Sequence, residues 1–181
     1  MKRPPGNFLS ATAILLFSIG VLWNVAAAQK RPPIPYSDLG ACPFECCTYR
    51  QWTVEKPTTV RTSMRKGSPI AFHLRRGEKV RGVTGVVITS NPGIARAVKP
   101  IDLGDIKLAS GDRIFLYTNE GEGYVKAWYR GRFFGAEALD PGQFEIERQP
   151  KSVWWVKLRN SRGQIGWSRE PENFGNVDQC G

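Results

Sequence analysis

From residue 48 onwards the chain is a succession of short β-strand patterns separated by glycine and proline. Apolar, aromatic and β-branched residues recur in eight runs, at residues 48–54, 78–91, 94–98, 113–119, 123–135, 144–148, 153–159 and 163–167. Nineteen glycines and thirteen prolines punctuate the chain, and no long stretch after residue 29 shows a clean helical period. Short strands at close spacing predict an all-β protein, either a sandwich or a small barrel.

The first 28 residues have the order of a secretory signal peptide. Lys2 and Arg3 precede an apolar run at residues 8–23, and small residues follow up to Ala28. That run of 16 residues is shorter than the ~20 that a membrane-spanning helix needs, so we expect cleavage after Ala28 and no membrane span thereafter. The mature protein would hold 153 of the 181 residues and reside in the periplasm or outside the cell.

The chain is strongly basic. Its formal net charge is +10, and two of these charges lie in the predicted signal peptide, which leaves +8 on the mature protein. A basic exported protein favours anionic partners, such as a polymer of the bacterial envelope or an envelope protein or peptide. No more than two Lys or Arg residues stand in a row, and acids lie between them, which argues against a nucleic-acid partner.

Four cysteines, three of them close together, predict a disulfide framework. Cys42, Cys46 and Cys47 lie within six positions, and Cys180 is the second-to-last residue. An even number of cysteines in an exported chain indicates disulfides, and the neighbours Cys46 and Cys47 are poorly placed to bond each other. Cys42 should therefore pair with Cys46 or Cys47, and the remaining one with Cys180. Zinc would need a second pair of ligands, which a lone Cys180 and the single His73 do not supply.

Two stretches of sequence carry a family resemblance. Residues 60–80 read VRTSMRKGSPIAFHLRRGEKV, with Val-Arg, a variable loop, a step to leucine, and Arg-Arg-Gly-x-Lys-Val. Residues 154–174 read WWVKLRNSRGQIGWSREPENF, with a Trp-led strand, an Asn/Gly turn and Gly-x-x-Gly-Trp. In this order they resemble the opening and closing segments of bacterial Src-homology-3 (SH3) type domains. Ser63 and Met64 replace the family's usual Gly-Pro, and Ser168 replaces its valine.

The resemblance implies small SH3-like barrels that bind rather than catalyse, here stapled by disulfides. Because residues 81–150 separate the two stretches, the chain should hold either two barrels in tandem or one barrel with a large β insertion. We divide it into a signal peptide (1–28), an extended and poorly ordered Pro-rich exit segment (29–41), a Cys-rich start with a first module (42–107) and a second module (108–181).

Adjacent aromatic residues are the candidates for a ligand surface. Neighbours on a strand face opposite sides, so in each adjacent pair one ring should point outward, where a flat ring suits sugars, peptides and cations. Basic side chains on the same strands would edge the groove. By the resemblance, Trp167 belongs to the core. The predicted ligand-binding residues are Trp128, Tyr129, Trp154, Trp155, Arg130, Arg132 and Lys157.

A carboxylate-dependent cell-wall hydrolase, or an inhibitor of one, is the alternative function. Glu120 and Glu122 could be paired carboxylates, but they flank a glycine in a predicted turn, where acids are common and solvated. We therefore expect a non-catalytic binding or scaffolding module, without metal or cofactor. Its expected ligand is peptidoglycan, an anionic polymer or a peptide of the envelope.

Overall fold

The computed structural model describes residues 31–121, 123–137 and 139–179, and these residues form an all-β fold. A 3₁₀ turn at Pro171–Asn173 is the one helical element in these ranges, where no helix is long and apolar enough to cross a membrane. The predicted signal peptide, Glu122 and Cys180 lie outside the described residues. The strands are β1 (Tyr36–Leu39), β2 (Gln51–Val54), β3 (Thr58–Arg61), β4 (Ile70–Leu74), β5 (Lys79–Asn91), β6 (Gly93–Ala97), β7 (Ile101–Asp102), β8 (Lys107–Leu108), β9 (Arg113–Gly121), β10 (Tyr124–Tyr129), β11 (Arg132–Glu137), β12 (Phe144–Arg148), β13 (Lys151–Arg159), β14 (Ile165–Ser168) and β15 (Phe174–Gly175).

The strands form two main sheets. Sheet A is a curled half-barrel in the order β15-β2-β5-β13-β14-β3-β4, with β1 added to β5. Sheet B has the order β11-β10-β9-β6-β12, and β7 and β8 form a separate hairpin. Two hairpins connect strands that are neighbours in sequence: β9 pairs with β10, and β13 pairs with β14 around the Asn160–Gly163 turn.

An antiparallel ribbon joins the two sheets. β5 continues into β6 through Pro92, and β12 continues into β13 through Pro150, while β5 pairs with β13 and β6 with β12. The two chains of the ribbon cross from one sheet to the other beside Gly93, where their backbones approach closely. A Cβ at this position would lie 2.8 Å from the Arg148 carbonyl oxygen. The Arg148 guanidinium donates a 2.9 Å hydrogen bond to the Pro92 carbonyl and fastens the crossing.

Sheet B is therefore an insertion in the chain of sheet A. Residues 36–91 and 151–175 supply sheet A, and residues 93–148 supply sheet B. The predicted division into modules 42–107 and 108–181 does not match this topology, because it cuts through β8. The reason is long-range pairing, since β5 finds its main partner in β13, on the far side of the insertion.

Each sheet has its own apolar core. In sheet A the fully buried Trp52 lies at the centre, and its indole nitrogen donates to the Thr48 carbonyl at 3.0 Å. Alternate residues of each strand line this core, as the strand period requires. The core of sheet A is Trp52, Val54, Val60, Phe72, Leu74, Val80, Val156, Leu158 and Phe174, and that of sheet B includes Ile101, Ile106, Leu108, Ile114, Leu116 and Phe144.

The Pro-rich exit segment is extended, as predicted, but it is part of the fold rather than a loose connector. Its strand β1 pairs with β5 over four residues. The Tyr36 ring lies 5.1 Å from that of Tyr117 and 4.6 Å from that of Phe133, on sheet B. The Tyr117 hydroxyl donates to the Pro33 carbonyl at 3.1 Å. The segment therefore covers the interface between the two sheets, which we call the seam.

An ion triad crosses the same seam. Lys126 Nζ lies 2.7 Å from Asp38 Oδ1 on β1 and 3.2 Å from Glu120 Oε1 on β9. Asp38 is 8% exposed, so its charge would be costly to bury without this ammonium. The triad therefore holds β1 against sheet B.

A disulfide joins Cys42 to Cys47, which is the first bond of one of the two predicted schemes. No described cysteine is free. The Gln179 amide donates to the Cys46 carbonyl at 3.0 Å, so the chain end runs beside Cys46. The predicted bond between Cys46 and Cys180 involves a residue outside the described ranges and stays a prediction.

The buried Tyr117 and the half-buried Tyr49 predict a loss of stability at alkaline pH. Burial raises the pKa of Tyr49 to about 12, partly offset by the Trp154 indole beside it, although the two groups do not form a hydrogen bond of normal geometry. Burial, with a smaller contribution from Tyr36, also raises the pKa of Tyr117 to about 12. Both hydroxyls donate to backbone carbonyls, which a phenolate cannot do.

These folded-state pKa values lie above the ordinary 10.0. The contribution of the two protonated hydroxyls to the free energy of unfolding is therefore complete below pH 10 and is lost as pH rises towards 12. Urea unfolding at a series of alkaline pH values, with phenolate absorbance as a second readout, measures this. The variant Tyr49→Phe should flatten the pH dependence. Ionisation of all tyrosines at the ordinary pKa in the folded protein would contradict the prediction.

Candidate functional site

The outward side of sheet A is basic. Core and outward positions alternate along β2, β3, β5, β13 and β14, so Trp52, Val60 and Leu158 face inward while their neighbours face out. No outward strand position of the described sheet A carries Asp or Glu. We call the following outward cations the basic face: Arg61, Lys79, Arg81, Lys157, Arg159 and Arg169.

Within the described residues, no cation of the basic face has an ion-pair partner. Every ion pair between described residues includes a residue of the insertion 93–148, so none involves the basic face. The sequence shows the same division. Residues 31–92 and 149–179 contain fifteen Lys and Arg against seven Asp and Glu, a net charge of +8. The insertion contains eight against nine, a net charge of −1.

Two arginines of the basic face oppose each other directly. Arg81 on β5 and Arg159 on β13 are cross-strand partners in the ladder. Like charges in this position destabilise a sheet, by roughly 0.2–1 kcal/mol per pair. Neither arginine forms an ion pair among the described residues, so the pair breaks a local rule of sheet stability, as residues at functional surfaces do.

A cavity of about 280 Å³ opens on this side of the sheet, where β3, β14 and β13 meet the 62–69 loop. Its floor includes Trp155, which is only 5% exposed, and the half-buried Trp167. It is lined by Thr59, Arg61, Lys66, Trp155, Trp167, Arg169 and Glu170.

Several contacts fix the walls of this cavity. The Lys157 ammonium lies 5.6 Å from the centre of the Trp167 ring, within the range of a cation–π interaction. Arg61 donates a 2.7 Å hydrogen bond to the Ser68 carbonyl, and the Ser68 hydroxyl bonds the carbonyls of Ser63 and Arg65. The loop that carries Lys66 is therefore held in place before any ligand arrives.

The structure brings together only part of the predicted site. Trp155 and Lys157 lie on the basic face, as neighbours on β13. Trp154 points the other way, packs on the core of sheet A and lies 5.6 Å from the Phe44 ring. The expectation of opposite faces is therefore met, although Trp155 presents little more than an edge. Trp167, which the resemblance places in the core, is half-buried on the outward side.

The other predicted residues lie on sheet B. Trp128, Tyr129 and Arg130 line a second cavity, of about 560 Å³, together with Phe115, Asp112 and Arg113. A hydrogen bond from the Tyr129 hydroxyl, and another from the Ala109 amide, lower the pKa of Asp112. Arg130 and Arg132 are paired with Asp112 and Asp105 respectively. The single groove predicted from the sequence is thus two separate surfaces.

Sequence reasoning missed six cations, one acid and one aromatic residue of the basic face and its cavity. They come together from β3, β5, β13, β14 and the 62–69 loop, which are distant in sequence. A comparison of net charge between segments would have indicated the surface, because the excess of Lys and Arg lies outside residues 93–148. The missed residues with cavity contacts are Arg61, Lys66, Arg169, Glu170 and Trp167.

The features that suggested catalysis or metal binding have structural partners. Glu120 is paired with Lys126 in the seam, and Glu122 lies outside the described residues. The His73 Nδ1 lies 3.3 Å from the Thr59 hydroxyl on the neighbouring strand. Among the described residues, no three His, Cys, Asp or Glu side chains are grouped so as to hold a metal ion.

No family model, no curated protein and no solved structure matches this chain.

Proposed function

We propose that the protein is an exported, non-catalytic binding module that engages an anionic polymer of the bacterial envelope through the basic face of sheet A. A single observation carries this proposal. The six cations of the basic face form no ion pair with any described residue, and two of them, Arg81 and Arg159, are cross-strand partners. Repulsion of this kind is relieved when an anionic ligand binds.

The topology supports an SH3-like barrel with a large β insertion over two barrels in tandem. The two stretches that resemble the family, residues 60–80 and 154–174, lie in the same sheet, where β14 pairs with β3 and β13 with β5. The Cys42–Cys47 disulfide suits a protein that folds in the periplasm or outside the cell.

The dimensions of the basic face favour a polymer over a small ion. Its cations lie on or beside β3, β14, β13 and β5, four neighbours in the sheet. At about 4.8 Å between strands, they extend over about 14 Å, which suits a chain with repeated negative charges. Electrostatic contacts at an exposed face govern association rate and salt dependence.

Sedimentation with purified bacterial sacculi tests the proposal. We expect the wild-type protein to pellet with the sacculi at low ionic strength and to be released as salt screens the cations. Failure to pellet at low ionic strength would refute the proposed function.

The variant Arg81→Thr should stabilise the fold while it weakens binding. Removing one of two opposed arginines relieves roughly 0.2–1 kcal/mol of cross-strand repulsion, and threonine favours strands. Loss of one cation should lower affinity for sacculi about threefold to fivefold. Urea unfolding and sedimentation measure the two effects.

The matched control is Arg113→Thr on β9 of sheet B. Arg113 Nε lies 2.9 Å from Glu147 Oε2, so this variant loses an ion pair instead of a repulsion. It should be no more stable than wild type and should bind as well. A lower free energy of unfolding in Arg81→Thr would contradict the assigned repulsion.

A further inference from the structure

The cavity beside Trp155 and Trp167 has a mixed chemistry that a simple anion site would not need. Three of its lining residues are cations, Arg61, Lys66 and Arg169, and one is an acid, Glu170, which gives a net charge of +2. The half-buried Trp167 indole, with the edge of the nearly buried Trp155 beside it, adds an apolar wall. Such a wall attracts the slightly positive C–H groups of a ligand ring.

The size of the cavity restricts the ligand group that enters it. Its volume of about 280 Å³ lies just below the range of small-molecule sites, roughly 300–1,000 Å³. It therefore accepts a single ring with its substituents, while the rest of a polymer would lie along the basic face outside it.

Glu170 is fixed in place and is not neutralised by the surrounding cations. Asn173 Nδ2 donates to its Oε2 at 3.4 Å, and the Glu170 amide donates to the Ser168 hydroxyl at 3.2 Å. Within the described ranges, no Lys or Arg lies within ion-pair distance of this carboxylate. A carboxylate only accepts hydrogen bonds, so it would repel a bare phosphate and would bind hydroxyl groups.

We infer that the cavity receives a sugar ring bearing an acidic group, so that the envelope polymer is an acidic glycan. The inference rests on the proposed function, because the basic face holds the polymer whose ring enters the cavity. The ring packs on the indole wall, its hydroxyls donate to Glu170, and its acidic group lies among the cations. A zwitterionic peptide fits less well, because its net charge of zero leaves the +2 of the lining uncompensated.

Isothermal titration with four soluble probes tests the inference: trigalacturonate, the neutral maltotriose, tripolyphosphate and trialanine. We expect trigalacturonate to bind about tenfold more tightly than each of the others. In Glu170→Gln, affinity for trigalacturonate should fall about fivefold, because a charged acceptor is lost, whereas affinity for tripolyphosphate should rise, because a repulsion is removed.

Arg159→Gln is the control, because Arg159 belongs to the basic face but does not line the cavity. It should lower the affinity for both anions by similar factors, and unchanged melting temperatures should show that both variants are folded. If tripolyphosphate or trialanine binds as tightly as trigalacturonate, or if Glu170→Gln shifts both anions in one direction, the acidic-glycan inference is overturned and the proposed function stands. If neither anion binds, the proposed function is overturned as well.

Discussion

A triple variant of the basic face, with Lys157, Arg159 and Arg169 each changed to Gln, should lose about 100-fold in affinity for bacterial sacculi. A contact between a charged group and an anion contributes roughly 1 kcal/mol or more in the presence of competing water, and three such losses amount to two powers of ten. The dependence of binding on salt should weaken too, since fewer charges are screened. All three side chains point outward, so the core remains intact. Sedimentation at several salt concentrations measures both effects.

The control is a triple variant with the same net charge in the insertion 93–148, Lys99→Gln, Arg130→Gln and Arg132→Gln. Arg130 and Arg132 were expected at the rim of a groove, but they lie on the other sheet, paired with acids. This variant should bind within about twofold of wild type. Equal losses in the two triple variants would show that net charge, and not the basic face, governs binding.

The variant Gly85→Ala should destabilise the fold by about 3 kcal/mol, at the upper end of what overpacking in a well-packed core costs. A Cβ at Gly85 would lie 2.7 Å from the Ala41 carbonyl oxygen, and closer still to the Tyr49 hydroxyl and the Trp154 indole nitrogen. The carbonyl belongs to the backbone of the Cys-rich start, and Trp154 packs on the core of sheet A, so neither yields easily. Urea denaturation gives the free energy of unfolding.

Gly67→Ala is the matched control, in the 62–69 loop. A Cβ there meets no atom within 4 Å. Because alanine reduces the freedom of the unfolded chain, this variant should be as stable as wild type or slightly more so. If Gly85→Ala unfolds no more readily than Gly67→Ala, then Trp154 does not pack over Gly85, and its assignment to the core instead of the ligand surface is wrong.

Local patterns predicted the strands, but they could not predict which strands share a sheet. The alternation in residues 113–119 and 153–159 reappears in β9 and β13, because side-chain period is a local property. β5 and β13 lie on either side of the insertion that forms sheet B. No feature within either strand's own sequence identifies the other strand as its partner. For this reason a boundary at residue 107 looked reasonable in the sequence and falls inside β8 in the structure.

The sequence predicted that adjacent aromatic residues face opposite sides, but not which of them share a sheet. Adjacent aromatics do face opposite sides, as at Trp154 and Trp155, because the pleat requires it. Whether the outward ring is exposed depends on what lies over it, and Trp155 is surrounded by cavity residues from β3, β14 and the 62–69 loop. Trp128 and Trp155, which the sequence grouped in one groove, lie on strands of different sheets, β10 and β13.

An NMR titration of the wild-type protein with soluble fragments of purified sacculi tests the central claim most directly. If the basic face binds the polymer, the indole signals of Trp155 and Trp167 and the amide signals of β13 and β14 should shift, and added salt should reverse the change. The indole signals of Trp128 and Trp154 should stay in place. Shifts concentrated on Trp128 and β10, or no shifts at low ionic strength, would contradict the account.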